Sequence, residues 1–270
     1  MAEITKIKPW QTTTAGENLF LFIYQLVDSS LPSPEHELTF SYSNFGTKEF
    51  FRLTTAMEFM HRCMNIGVSL IKFTPDVSPL KIASELKEEL QTKYVNGSIN
   101  RLAELTRLSA IAYVSRNLPE GLANSIRKNK KNECCWCGKN TSRSKNTPTE
   151  DKTTVEHLWP EFLGGESIEE NLIIACGACN SARQHAYTWA WFGVQAWNEK
   201  LDSNKSFPKE VKLSIGLHRL ISVASAQTRY SNEVITLKDA AMRLKAIIPK
   251  VHLVEDTRYT FLELINIAEE

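Results

Sequence analysis

Residues 134–140 read CCWCGKN, residues 153–165 read TTVEHLWPEFLGG, and residues 170–185 read ENLIIACGACNSARQH. In this stretch, and in no other, several chemically distinctive side chains recur at meaningful spacings. Cys134 with Cys137, and Cys176 with Cys179, make two C-x-x-C knuckles, each short enough to put both sulfurs on one metal ion. Four thiolates in a tetrahedral array suit Zn2+, closed to water and therefore structural. Cys135 is out of register with the second knuckle, although spacing alone leaves open an exchange of Cys134 for Cys135.

Between and beside the knuckles the order of residues becomes specific. The strand-like Thr153–Val155 leads into Glu156-His157, and Gly164-Gly165 marks a turn. Asn171 precedes the apolar strand Leu172–Ala175, and Asn180 follows the last cysteine at the start of a helix carrying Arg183 and His185. This order resembles the zinc-stapled branch of the HNH endonuclease family. That branch has an acid-histidine pair, a Gly-Gly turn, an Asn-Leu before a hydrophobic strand, and a C-x-x-C-Asn entering the helix. The resemblance covers Cys134 to His185 and leaves both flanks unexplained.

The resemblance implies a ββα-metal fold, two antiparallel strands and a helix around one catalytic divalent cation. It implies His157 as general base, Asn171 as the residue that braces the loop and orients the histidine, and Asn180 as a ligand of the cation. Arg183 falls where the family often has a basic residue facing phosphate, and His185 is a further candidate for metal or phosphate. Glu156 is the second expected ligand. The family usually has aspartate there, one methylene shorter. Neighbouring strand residues point to opposite faces, so Glu156 and His157 can serve one site only near a strand end or a bulge.

The chemistry fits these residue types independently. Phosphodiester hydrolysis needs an activated water, and a neutral imidazole can take its proton near neutral pH. It also needs a cation to offset charge on the phosphorus oxygens and the leaving oxygen. Oxygen ligands from Asn180 and Glu156 suit Mg2+ or Mn2+ rather than a second zinc. The expected activity is metal-dependent cleavage of DNA. A zinc-dependent nucleic-acid-binding or adaptor module without catalysis, and an RNA-cleaving nuclease, are the alternatives. The resemblance further implies an effector of anti-phage defence, with an ATPase or sensor protein as partner.

Outward from the first knuckle, Arg127, Lys128, Lys130, Lys131, Lys139, Arg143 and Lys145 face the single acid Glu133. A solvated linker and a phosphate-contacting surface are both consistent with such a run. Its place beside the cysteines favours the second, with Lys139 and Arg143 as nucleic-acid contacts. The whole chain hides this patch, because 32 Lys and Arg against 31 Asp and Glu leave a formal charge of +1.

The flanks read as helices. Leu19, Phe22, Ile23, Leu26 and Val27 share one face of a helix expected to end near Asp28. Phe50, Leu53, Met57, Met60 and Met64 trace a longer one that Gly67 is expected to help end. A helix starting near Ser78-Pro79 and another carrying Ile99, Leu102, Leu105, Leu108 and Ala112 follow. Leu213 to Ala224, Leu237 to Ile248 and Tyr259 to Ala268 are expected as further helices, the second capped by Thr236 and Asp239. Leu38–Tyr42 is expected to be extended, Thr188–Trp197 an aromatic helix, and Asp202–Lys209 a loop. Trp159 and Phe162 are expected as core beneath the hairpin.

The expected fold class is therefore mainly α with a small α+β insertion: a helical body carrying a zinc-stapled ββα-metal HNH module. The expected partition is a helical region over 1–126, the nuclease module over 127–187, and a second helical region over 188–270. His36, His61, His218 and His252 have no companion residues, and Cys63 reads as a small buried apolar residue. No leader pattern opens the sequence and no apolar run is long enough to span a bilayer, so no membrane partner is expected. With five cysteines gathered in one region, a reducing, cytoplasmic setting is expected.

Overall fold

Helical periodicity holds through the amino-terminal half. The structure, a computed structural model, describes residues 10–30, 45–90, 98–129, 132–183, 209–231, 233–244 and 246–248. The expected extended piece at Leu38–Tyr42, the aromatic helix Thr188–Trp197 and the tail helix Tyr259–Ala268 lie outside these residues, as do His36, His185 and His252. The chain divides into two compact units. Of the described residues, one comprises those within Thr12–Arg116 and Trp159–Glu166; the other comprises Trp10, Gln11 and those within Asn117–Leu158 and Ser167–Glu270.

In the first unit, α1 (Ala15–Ser30), α2 (Phe45–Phe73), α3 (Pro79–Leu90) and α4 (Ile99–Val114) pack through their apolar stripes. Leu19, Phe20 and Ile23 of α1 are buried with Met57, Met60 and Met64 of α2 and Leu102 of α4. Cys63 is buried among them, and burial pushes its thiol up to about 12, as befits an apolar packing residue. A capping box starts α1: the Thr14 hydroxyl accepts from the Glu17 amide at 3.2 Å, and the Glu17 carboxylate accepts from the Thr14 amide at 3.0 Å.

Helix α2 does not end at Gly67 but runs on to Phe73, where Pro75 prevents continuation. A Cβ at Gly67 would lie 2.8 Å from Thr106 Cγ2 and 3.0 Å from Ala110 Cβ. Gly67 therefore permits close approach of α2 and α4 and is not a stop signal.

Residues Trp159–Glu166, between the two strands in sequence, belong to this helical unit. Trp159 is fully buried against Phe20, with ring centroids 5.3 Å apart, and its indole N–H donates to Leu163 O at 2.9 Å. Phe162 packs against His61 and Tyr113. The expectation that Trp159 and Phe162 lie beneath the hairpin is thus corrected: the connecting loop is apolar enough to supply core to the helices. Gly164 turns the loop at φ +77°, a conformation costly for any residue bearing a Cβ.

In the second unit, β1 (Thr153–His157) and β2 (Leu172–Cys176) form an antiparallel pair whose register runs unbroken from Thr153 opposite Cys176 to His157 opposite Leu172. Helix α5 (Glu120–Asn129) packs against both strands, joining Ala123 and Ile126 to Val155, Leu172 and Ile174. The sequence reading placed no element there. The helix is short, and its apolar face is legible only through its partner sheet. Helix α6 (Gly177–Arg183) follows β2 directly and contacts both strands.

Helix α7 (Lys209–Tyr230) buries Leu217, Leu220, Ile221 and Ala224 as its stripe predicts. Helix α8 begins at the expected cap but ends at Arg243 rather than Ile248. Residues 246–248 instead lie along the first knuckle, where the Ile247 amide donates to Cys135 O at 2.9 Å and the Ile248 amide to Trp136 O at 2.7 Å. Two causes act together. A residue before proline is driven out of helical geometry, and Ile248 precedes Pro249. The buried Arg219 guanidinium also takes the carbonyls of Ala246 and Ile247, at 3.2 and 3.3 Å, away from helical use.

Substituting Gly67→Ala should lower the urea midpoint of the helical unit. Helix propensity alone favours alanine by about 1 kcal/mol, but forcing a methyl between α2 and α4 costs roughly 1–3 kcal/mol. A rise in the midpoint would show that the two helices part without penalty.

Candidate metal centre and hairpin site

The first knuckle closes on itself, with the Cys134 amide donating to Lys139 O and the Gly138 amide to Cys134 O, both at 2.8 Å. The Cys135 amide then donates to Ile174 O at 2.9 Å, tying the knuckle to β2, whose last residue is Cys176. The second knuckle continues from that strand into α6. One ligand atom each from Cys134, Cys137, Cys176 and Cys179 lies within 4.8 Å of all the others, and the Cys137 and Cys176 sulfurs are 3.9 Å apart. A tetrahedron with Zn–S bonds of ~2.3 Å has edges of about 3.8 Å. The four cysteines could hold a zinc ion, and Cys135 stands outside the group.

Hydrogen bonding among the sulfurs has already separated their proton affinities. The bond from Cys134 pulls the Cys137 thiol down to about 6, and bonds from Cys134, Cys137 and Cys179 pull Cys176 down as well. Cys134 is pushed up by its bonds to Cys137 and Cys176, and Cys179 by its bonds to Cys134, Cys137 and Cys176. The setting is closed, since Cys134, Cys176 and Cys179 are buried, and thiolates gathered there would concentrate negative charge. A divalent cation is the counter-charge it suits.

At the far end of the hairpin stand three buried polar residues: Glu156 at 9% exposure, His157 at 8% and Asn171 at 2%. Strand alternation puts Glu156 on the face shared with Ile173, Thr154 and Ala175. His157 lies on the other face, with Val155, Leu172 and Ile174, the face that α5 covers. No bulge interrupts the ladder. His157 is, however, the last residue of β1, meeting the requirement for a strand end.

Asn171 closes the loop between the strands with its backbone: its carbonyl accepts from the Leu158 amide at 2.8 Å, and its amide donates to Ile168 O at 3.1 Å. On α6, the Asn180 side-chain amide donates to Val155 O at 3.4 Å. A carbonyl only accepts, so the amide nitrogen must face β1, and the oxygen, the atom a hard cation takes, is turned from it.

The structure therefore places Glu156, His157 and Asn171 at the hairpin's end, with Glu156 and His157 on opposite faces of the sheet, and sets Asn180 beside Val155, the strand residue preceding Glu156. Arg183 is the last residue of α6, its side chain outside the described set, and His185 lies outside it altogether. Lys139 and Arg143 are exposed on the segment between the first knuckle and β1. Lys139 pairs with Asp151, which holds its ammonium above the usual lysine range.

One contact falls outside the expected set. Ser167 Oγ lies 3.0 Å from His157 Nε2. The sequence offered only a serine shortly after the Gly-Gly turn, ten positions from the histidine, with no periodicity linking the two.

A family model described as HNH endonuclease matches residues 134–186. The match coincides with the hairpin and its cysteines and supports a nuclease-type function on nucleic acid. No curated protein and no solved structure matches the chain.

Purified protein should contain one zinc ion per chain by elemental analysis, and Cys179→Ala should lose it while Cys135→Ser keeps it. Stripping the ion with a strong chelator should unfold the second unit, because a structural zinc contributes roughly 10 kcal/mol or more to the fold that binds it. Retention of zinc by Cys179→Ala would exclude a site built on these four cysteines.

Proposed function

We propose that this protein is a metal-dependent HNH endonuclease that hydrolyses phosphodiester bonds in DNA, with residues 127–187 as its catalytic module. The observation that carries the reading is the burial of Glu156, His157 and Asn171 together at the end of one hairpin, inside the segment that matches the family. Buried polar and ionisable groups oppose folding unless partnered, and their clustering in one place points to a chemical use.

His157 accepts the proton of the attacking water, and its place at the strand end, held by the loop, fixes the ring for that transfer. Asn171 keeps the loop closed through its backbone bonds to Leu158 and Ile168. Glu156 and Asn180 would hold Mg2+ or Mn2+, since their donors are the oxygens these hard cations prefer. When bound, that cation supplies positive charge to the phosphorus oxygens and leaving oxygen. The longer reach of Glu156 compared with aspartate is compatible with a ligand carried on the strand beside Asn180. Arg183, His185, Lys139 and Arg143 are assigned to the phosphate backbone. On the resemblance alone we extend the proposal to an effector of anti-phage defence released by an ATPase or sensor, for which co-purification with such a partner is the test.

The zinc-loaded protein should nick supercoiled plasmid when Mg2+ or Mn2+ is supplied. His157→Ala should lower the rate by about 100-fold or more with zinc content and circular dichroism unchanged. Single-stranded DNA, duplex DNA and RNA of one sequence, tested side by side, identify the substrate, and faster RNA cleavage would move the reading to a ribonuclease. Binding without cleavage in every divalent metal, or equal cleavage by His157→Ala, would overturn it in favour of a binding module.

A further inference from the structure

We propose that Ser167 is a positioning residue for His157, holding the imidazole in a fixed orientation before and after it takes up a proton. The inference rests on the nuclease reading and deepens it by adding a residue to the site. The Ser167 hydroxyl oxygen lies 3.0 Å from His157 Nε2, within the range of a direct hydrogen bond. The backbone makes this contact more than a chance approach of two side chains. Asn171 holds both partners by their next neighbours: its carbonyl takes the amide of Leu158, which follows His157, and its amide gives to the carbonyl of Ile168, which follows Ser167. One buried residue thus pins the two positions from which the imidazole and the hydroxyl project.

A hydroxyl suits this task. It can donate to a ring nitrogen that carries a lone pair and accept from one that carries a proton. With Ser167 occupying Nε2, the nitrogen left to take the proton of water is Nδ1; Nε2 carries its hydrogen in the neutral ring, donates it to the Ser167 oxygen, and goes on donating after uptake, with no heavy atom displaced. An alanine in its place would leave Nε2 without this partner in either state. His157 is on the face that α5 covers, shared with Val155 and with its cross-strand partner Leu172. Packing alone leaves an imidazole able to flip about its terminal torsion. The hydrogen bond to Ser167 removes that freedom.

The test has two readouts on the full-length, zinc-loaded protein. The first is the pair of ring 15N resonances of His157 at a single pH, in protein labelled at histidine and assigned with His157→Ala. Ser167→Ala should displace these resonances and Ser167→Thr should return them toward wild type, whether or not the protein cleaves DNA. The second is the kinetics of plasmid nicking with Mn2+. Ser167→Ala should lower kcat roughly 10- to 100-fold, the size expected when a reacting group is misplaced by a fraction of its reach, while KM for DNA stays unchanged. Ser167→Thr should recover most of the loss. Unchanged ring resonances in Ser167→Ala, an unchanged kcat, or a Ser167→Thr protein as impaired as the alanine variant would each overturn the proposal. If the resonances move as expected but the wild type cleaves nothing, the nuclease reading fails and the catalytic purpose of Ser167 fails with it, the hydrogen bond alone remaining.

Discussion

Convergence of four sulfurs on one point is the constraint from which the second unit follows. Each strand of its sheet is five residues long, and a two-stranded hairpin of that size is marginal in water without further support. Cys176 ends β2 and Cys179 lies on α6, while Cys134 and Cys137 come from a turn bonded to β2 through the Cys135 amide. An ion shared by all four therefore fixes the end of one strand, the start of the helix after it and the turn before the other strand. Its free energy of binding falls on the elements that have the least core of their own. Trp136, fully buried between the ligands of the first knuckle, packs against α7 at Gly216, where an added Cβ would lie 3.2 Å from its ring.

That staple lies at one end of the hairpin, and the polar residues lie at the other. Cys176 pairs with Thr153 and His157 pairs with Leu172, so the whole length of the ladder separates the two. The separation permits different chemistry at each end. Soft sulfur ligands, closed and buried, suit a zinc ion that does not react, whereas the other end offers oxygen and imidazole donors. A ladder held rigid at the cysteine end keeps the register at the histidine end, because a slip of one residue would carry His157 to the opposite face.

Much of this is legible in the sequence alone. The knuckles announced themselves by spacing, the helices by a period near 3.6, and the cap of α8 by Thr236 and Asp239. The failures have one physical origin: they concern residues whose conformation is decided by a partner distant in sequence. Gly67 resembles a stop signal locally, yet it is there for Thr106 and Ala110 of α4. Ile247 and Ile248 continue an apolar helical pattern locally, but the carbonyls of Cys135 and Trp136 draw their amides away. Trp159 and Phe162, flanked by hairpin residues, supply core to the helical unit instead. Helix α5 escaped notice because its apolar residues acquire meaning only against β1 and β2.

The same reasoning explains why Glu156, His157, Asn171 and Asn180 can be proposed from the sequence while the contact of Ser167 with His157 cannot. Glu156, His157, Asn171 and Asn180 are spaced by the elements that carry them: two are adjacent on a strand, one immediately precedes the next strand, and one lies on the helix that follows. Such spacings survive in the linear sequence. Ser167 meets His157 only because a loop closes, and the closure depends on backbone bonds of Asn171 that no side-chain pattern encodes. The identity of the residue at 171 is visible in the sequence, but the work its peptide groups do is not. Where a loop returns to its own start through main-chain hydrogen bonds, the side chains it juxtaposes have to be found in the structure. The residue types flanking the loop then show only which chemistry the juxtaposition could serve.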